Sequence, residues 1–214
     1  VIPVLIIPVL NRYDLLEQTL RSIDFPIENI LIINNGTNKS FATGVRNVQI
    51  LDMPSNQGIA GSWNLGIKCY PHAPYWVFGS ADTHFMPGSL EKMCESSGPD
   101  YLIKSNAHYS FFSVGENIIK NVGLFDEYIY PSYFEDNDFN DRVVNAGYGD
   151  NILIPGIEVN DNGGSQTIKS DGHFASRNNF TFQRNGDYYR EKVVTGDYTP
   201  KGWDLSRRRE NEWN

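Results

Sequence analysis

Two apolar runs set the frame of the chain. Val4 to Leu10 is apolar throughout and ends at Asn11-Arg12, and Asn29 to Ile33 is a second such segment, stopped by the turn-forming Asn34-Asn35-Gly36. Short apolar runs without polar alternation predict strands buried on both faces. Between them, Leu15, Leu16, Thr19, Leu20 and Ile23 recur at helical spacing within Asp14 to Asp24, and Pro26 closes that helix. Val48 to Leu51 predicts a third strand, Ile59, Trp63, Ile67 and Tyr70 mark a second helix, and Tyr75 to Phe78 is a further strand before the polar Gly79 to His84. Strands alternating with amphipathic helices predict an α/β fold with a mostly parallel sheet and helices on both faces. Ligands of such sheets sit outside the carboxyl ends of the strands. Asn11, Asn34, Asn35 and Asp82 all fall just past predicted strand ends, where one crevice can collect them.

The pattern changes after Pro87. A short helix to Glu95 is followed by strands at Tyr101 to Lys104 and Tyr109 to Val114, a short helix near Ile118, and an acidic segment whose helix runs to Asn145. Ile152 to Ile154 and Ile157 to Val159 add short strands. From Asn160 the chain is polar and glycine-rich, with no strong period until Asp187 to Val194. The expected division is a core over residues 1–165 and an arm or lid over 166–214, with Arg207-Arg208-Arg209 as a solvated tail. There is no internal repeat.

Composition narrows the function. The 214 residues are 40% hydrophobic and 21% charged, which is the balance of a soluble globular domain. A formal net charge of -8 argues against a nucleic-acid or anionic-membrane partner. A phosphorylated ligand then needs a local device, either a metal ion or backbone amides. The apolar opening from Val1 to Leu10 is too short to span a bilayer and contains Pro3 and Pro8, so no transmembrane segment is expected. It also lacks a signal-peptide pattern, and a start at Val1 rather than Met fits an excised piece of a longer, multidomain chain. Cys69 and Cys94 read as free thiols of a reducing, cytoplasmic compartment. Without a leader, the sequons at Asn35, Asn38 and Asn179 carry no weight.

Three stretches carry candidate chemistry. Glu135, Asp136, Asp138 and Asp141 fall within seven residues, a repulsive cluster unless a cation, an arginine or a substrate hydroxyl compensates it. The competing reading is a helix capped by Asp136 or Asp138, with Arg142 pairing an acid one turn back. A calcium loop beginning at Asp136 fails, because position six is Asp141 instead of glycine and position twelve is Gly147 instead of glutamate. The second stretch, Gly79-Ser80-Ala81-Asp82-Thr83-His84, puts a carboxylate at a strand end beside small residues, which suits an oxygen-bound Mg2+ or Mn2+ bridging to a diphosphate. Capping of the helix after Pro87 is its alternative. The third stretch, Asn56 to Gly66, opens a helix with three glycines but has neither P-loop nor dinucleotide-fold spacing. Close packing accounts for Gly61 and Gly66.

Together these stretches resemble a known family. Pro8-Val9-Leu10-Asn11-Arg12, the Asn34-Asn35-Gly36 turn, Asn56-x-Gly58 with Asn64-x-Gly66, Ala81-Asp82 with Pro87, Gly123-x-Phe125-Asp126-Glu127, Glu135-Asp136-x-Asp138 with Arg142, and Gly147-Tyr148 occur in the order seen in glycosyltransferase family 2. The likeness covers about residues 3–165. It implies a GT-A, Rossmann-like fold and a metal-dependent, inverting transfer from a UDP-sugar to a carbohydrate or glycoconjugate hydroxyl. Pro8, Leu10, Asn11, Arg12, Asn35, Asn56, Ser80 and Ala81 are then expected at the nucleotide, with Asn34-Asn35 standing where aspartate is common. Ser80-Ala81-Asp82 resembles an Asp-x-Asp motif that has lost its first acid, which leaves Asp82 as principal ligand of Mn2+ or Mg2+ and His84 as candidate second ligand. Asp161 and His173 resemble positions near the diphosphate. Asp136 resembles the acceptor-side base, with Asp138 and Arg142 as its support.

Two other functions fit parts of the pattern. A sugar nucleotidyltransferase shares the architecture but normally has a glycine-rich basic loop where this chain has Asn11-Arg12-Tyr13. A noncatalytic carbohydrate-binding domain would use Tyr128, Tyr130, Tyr133 and Phe134 as stacking surfaces, although such aromatics are mostly core.

Overall fold

The computed structural model describes residues 1–37 and 45–202. The Asn38 sequon and the Arg207-Arg208-Arg209 run lie outside the described residues. The first half of the chain forms β1 (Ile2–Val9), α1 (Tyr13–Arg21), β2 (Ile27–Asn34), β3 (Val48–Asp52), α2 (Gly58–Cys69), β4 (Tyr75–Gly79), β5 (His84–Phe85) and α3 (Ser89–Ser96). The second half forms β6 (Leu102–Ser105), β7 (His108–Gly115), α4 (Glu116–Val122), α5 (Glu135–Val143), β8 (Ile152–Leu153), β9 (Val159–Asn160), α6 (Gln166–Lys169) and α7 (Gly172–Thr195).

The central sheet has seven strands in the order β3-β2-β1-β4-β7-β6-β8. The strands β3, β2, β1 and β4 run parallel, β7 is antiparallel to both β4 and β6, and β8 is parallel to β6. Register aligns the strand ends that matter, with Pro8 opposite Ile33 and Val9 opposite Asn34. The loops carrying Asn11 and Asn35 therefore leave one edge together.

Successive side chains of a strand point to opposite faces, so each buried strand feeds two cores. Leu5, Ile7, Ile30, Ile32 and Val77 pack with α1 and α3 through Leu16, Leu20, Leu90 and Met93. Val4, Ile6, Leu31, Ile33 and Phe78 pack on the other face with α2, α4 and α5 through Trp63, Ile67, Ile118 and Phe139. Helix α2 lies close to the sheet because Gly66 has no side chain: a Cβ there would fall 2.6 Å from Ile6 Cδ1. Among the described residues no helix is long and apolar enough to cross a membrane, and Cys69 and Cys94 are free thiols.

Two elements differ from expectation. The strand predicted at Ile157 to Val159 lies at Val159–Asn160 and pairs with β5 in a separate two-stranded sheet. Asn106 sets that shift, donating its backbone N–H to Ile157 O at 2.9 Å and accepting Val159 N–H at Oδ1 at 2.9 Å. The larger difference is α7, a 24-residue helix across a stretch whose polarity gave no period before Asp187. Asp171 caps it, accepting from the backbone N–H of His173 at 2.8 Å and Phe174 at 3.4 Å, and Gly196 ends it at φ 70°. It docks through polar and aromatic contacts in place of a continuous apolar stripe: Asn185 Nδ2 donates to Tyr130 O at 3.1 Å and Ser132 O at 3.0 Å.

Candidate active site

A cleft of about 960 Å³ opens over the carboxyl ends of the parallel strands. Pro8 and Leu10 reach it from β1, Asn35 from the end of β2, and Asn56 and Gly58 from the start of α2. The two asparagines after β2 have different tasks. Asn34 is buried, with Oδ1 accepting from Tyr13 OH at 2.8 Å and Nδ2 donating to Asp52 Oδ1 at 2.6 Å. Asn35 lines the cleft, where its Oδ1 accepts Gln57 N–H at 2.8 Å and its Nδ2 donates to Ser62 Oγ at 2.9 Å. Both amides thus knit the strand end to α1, β3 and α2, which is how this chain uses asparagine there.

Asn56 Oδ1 accepts Gly58 N–H at 2.9 Å and turns the chain into α2. Gly58 adopts φ +70°, and a Cβ on it would meet Pro131 O and Tyr130 Cδ2 at 2.8 Å. Only glycine suits that backbone and that approach. The Tyr130-Pro131 bond beside it is cis. Asn64, one spacing further on, grips the backbone of Phe125 with both ends of its amide, accepting its N–H and donating to its C=O, each at 2.9 Å.

Ser80, Ala81 and Asp82 follow β4 on the next wall. Asp82 is half-buried, and that burial raises its pKa, as does the charge of Asp161, against the lowering effect of a 3.2 Å hydrogen bond from Gln166 N–H and of Arg12. Its backbone C=O accepts from Asn162 Nδ2 at 2.7 Å. The helix after Pro87 begins at Ser89 with Gly88 as its cap residue and no capping side chain, so Asp82 does not cap it.

The acidic segment forms the first turn of α5. Its cap residue is Phe134 at φ 77°, without a side-chain cap, so neither Asp136 nor Asp138 is the helix cap. Asp138 is fully buried and receives Arg142 Nε at 3.0 Å, the pairing one turn apart that the spacing predicts, while Lys192 Nζ reaches its other oxygen at 2.5 Å. Asp141 accepts from Tyr189 OH at 2.6 Å and Tyr198 OH at 3.0 Å. Glu135 and Asp136 are the members of the cluster that line the cleft. Burial raises the pKa of Asp136, opposed by Asn137 N–H and by the positive charges of Lys104 and His108. Burial also pushes Glu135 well above its ordinary value, with the Asp136 charge adding to it, and Glu135 Oε2 has no hydrogen-bond partner among the described residues.

Several expected residues lie elsewhere. Arg12 closes on Asp14 through two hydrogen bonds of 2.8 and 2.6 Å, and Asn11 Nδ2 donates to Thr167 O at 2.9 Å; neither lines the cleft. Asn11 instead ties β1 to the α6 strap. His84 is exposed on β5, paired across to Asn160, and does not line the cleft. His173 lines it from α7, whereas Asp161 does not. The aromatics after Asp126 dock α7: Tyr128 packs on Tyr188, Tyr133 and Phe134 on Phe182, with ring centroids 4.7 to 5.3 Å apart. Tyr130 and Tyr133 also line the cleft. The motif pattern missed the contribution of α7, whose Arg177 and Arg184 face the cleft.

The residues fit a divalent cation in one way. Among the described residues no group of three or more His, Cys, Asp and Glu converges on a point. Asp82 alone offers a partly desolvated carboxylate at the strand end, and Mg2+-type sites commonly use one or two carboxylates with the rest supplied by phosphate oxygens and water.

Comparison with known proteins bears on the family and the fold. The chain matches the family described as Glycosyl transferase family 2 over residues 4–117, more than half of its length. No curated protein matches it. Among solved structures it is similar to S. aureus TarS, with TM-score 0.57 and 12% identity over 74% of this chain and 36% of that one. It is also similar to S. aureus TarS 1-349 in complex with UDP, with TM-score 0.56 and 14% identity over 74% and 60% of the two chains. The complex of that form with UDP-GlcNAc gives TM-score 0.52 and 12% identity over 74% and 58%. At these identities the likeness is one of fold, the GT-A architecture, and this chain spans 36% of the longer structure and 58 to 60% of the shorter. With a family match over residues 4–117 and the expected sheet carrying the cleft at its strand ends, the chain belongs to glycosyl transferase family 2.

Proposed function

We propose that the protein transfers a sugar from a UDP-sugar to an acceptor hydroxyl, with inversion, in a reaction that depends on Mn2+ or Mg2+. One observation carries the reading: Asp82 and Asp136, two partly buried carboxylates with raised pKa values, stand on the walls of one cleft with Pro8, Leu10, Asn35, Asn56, Ser80 and Ala81. UDP and UDP-GlcNAc in the two TarS 1-349 complexes support the choice of nucleotide.

In this reading Asp136 accepts the proton of the acceptor hydroxyl as its oxygen bonds to the anomeric carbon and the bond from that carbon to the diphosphate oxygen breaks. Burial makes Asp136 a stronger base than an exposed aspartate, and Lys104 and His108 keep its ionised form accessible. Asp82 would hold the cation, and the cation would stabilise charge on the departing diphosphate as a Lewis acid. Asn35, Gly58 and the strand ends position the nucleoside, and Asp138 with Arg142 and Lys192 fixes the helix that presents Asp136.

The test is a titration of UDP with and without Mn2+, using wild type and Asp82→Ala, followed by screening UDP-sugars for hydrolysis. Binding that Mn2+ strengthens in wild type but not in Asp82→Ala is expected. Absence of UDP binding would remove the donor assignment, and equal binding with and without metal would remove the cation.

A further inference from the structure

The cleft has a wall that the transfer chemistry above does not use. Helix α7 turns His173, Arg177, Asn178, Thr181 and Arg184 toward it, and no Asp or Glu of that helix lines the cleft. Arg177 and Arg184 are seven residues apart, which places them on one face about 10 Å apart along the axis. In a chain of net charge -8, neither is paired with a carboxylate among the described residues. The positive neighbours of Asp136 are Lys104 and His108, and that of Asp82 is Arg12. The α7 arginines therefore do not serve to neutralise the acids of the cleft. Asn178 Oδ1 on the same wall is a buried acceptor without a hydrogen-bond partner among the described residues, and suits a hydroxyl of the ligand, not its oxyanion.

We propose that Arg177 and Arg184 form an oxyanion site that takes a phosphate or carboxylate group of the acceptor, so that the acceptor is an acidic sugar or glycan. This rests on the transferase reading above. Guanidinium groups suit such oxyanions because their fixed fork of N–H donors matches two oxygens at once. The acceptor is favoured over the donor diphosphate by where Arg184 is fixed. Its Nη2 donates to Tyr130 O at 2.6 Å, and Asn185 beside it holds Tyr130 O and Ser132 O. That segment runs directly into Glu135 and Asp136, the side of the cleft assigned to the attacking hydroxyl, whereas Asp82 is tied to Gln166 of α6.

The test measures binding of glucose, glucose 6-phosphate and glucuronate to the intact protein, alone and loaded with UDP and Mn2+, for wild type, Arg177→Gln, Arg184→Gln and the double variant. Wild type is expected to bind the charged sugars about tenfold or more tightly than glucose, and the double variant to lose that preference while binding UDP within about twofold of wild type. Arg184→Lys, which keeps the charge and loses the fork, should recover part of the preference and shows whether loss in Arg184→Gln reflects misfolding. Equal binding of neutral and charged sugars by wild type overturns the proposal. So does a fall in UDP affinity in the double variant with the sugar preference intact, which would assign the arginines to the diphosphate. If wild type fails to bind UDP, the donor assignment falls, while the charged-sugar preference measured without UDP still decides the oxyanion site.

Discussion

Lys192 of α7 and Asp138 of α5 meet as an ion pair at 2.5 Å with both side chains sealed from solvent. The same ammonium lies 2.5 Å from Asp126 Oδ2, and Arg142 completes a set of two cations and two acids whose charges cancel. A buried pair adds little over a well-packed apolar replacement, but losing one member strands the others. Lys192→Ala should therefore destabilise the fold by about 3–5 kcal/mol in urea unfolding. A loss below about 1 kcal/mol, the scale of an exposed pair, would show that the network is open to water.

Glu135 makes stability depend on pH in an unusual direction. Its carboxyl is raised well above the ordinary value by burial and by Asp136, so the folded state holds a proton that the unfolded chain has released. Stability from this group is present below the unfolded value of about 4.3 and is lost as pH rises through the folded one. Glu135→Gln removes that loss. The variant should gain stability over wild type as pH is raised from 4 toward 8, and the gain should vanish near pH 4; thermal unfolding at pH 4, 6 and 8 reads it. A difference that is constant across the three would rule out the titration.

Gly58 joins backbone conformation to the cleft wall. Alanine there meets both the φ of +70° and the 2.8 Å approach of Pro131 O. Gly58→Ala should cost about 1–3 kcal/mol and displace the Tyr130-Pro131 turn. UDP affinity should fall with it, because both sides of that contact line the cleft. Unchanged stability together with unchanged affinity would mean the turn yields freely.

For Asp136, replacement by asparagine should lower transfer by at least about 100-fold while UDP affinity stays near wild type. With Asp136 as the proposed base, the active form would be the carboxylate, so activity should fall as pH drops through a pKa held above the ordinary aspartate value by burial. That acidic limb should be missing from whatever activity Asp136→Asn retains. Transfer at the wild-type rate in the variant would remove Asp136 as base.

The sheet was legible because burial on both faces writes itself as apolar runs: the predicted Val4 to Leu10 and Asn29 to Ile33 lie on β1 (Ile2–Val9) and β2 (Ile27–Asn34), with their ends off by one or two residues. The strand-end motifs were legible as short polar signatures, but their partners were not. Asn64 answers to Phe125, 61 residues away, and Asn11 to Thr167, 156 away. Helix α7 was missed because its anchors are Asn185, Tyr188 and Lys192, polar groups that leave no apolar period. Its ends were nonetheless signalled, since Asp171 is a good cap residue and Gly196 a good stop.

The two-way amide bridge from Asn64 to Phe125 has a consequence for how such enzymes diverge. Residues 4–117 carry the family match, whereas Asp136 and α7 come later in the chain. A recombinant that kept the nucleotide half and imported a new second half would inherit Asn64 from one parent and the peptide it clasps from the other. Because the clasp reads the backbone of residue 125, it tolerates any residue there that fits the core, but it demands the same turn geometry and an acceptor at 127, since Asn64 Nδ2 also donates to Glu127 Oε1 at 2.8 Å. The same exchange would have to preserve the fit of Gly58 against Tyr130 and Pro131 and the bond from Gln166 to Asp82, so the two halves of the chain can change only together at the cleft.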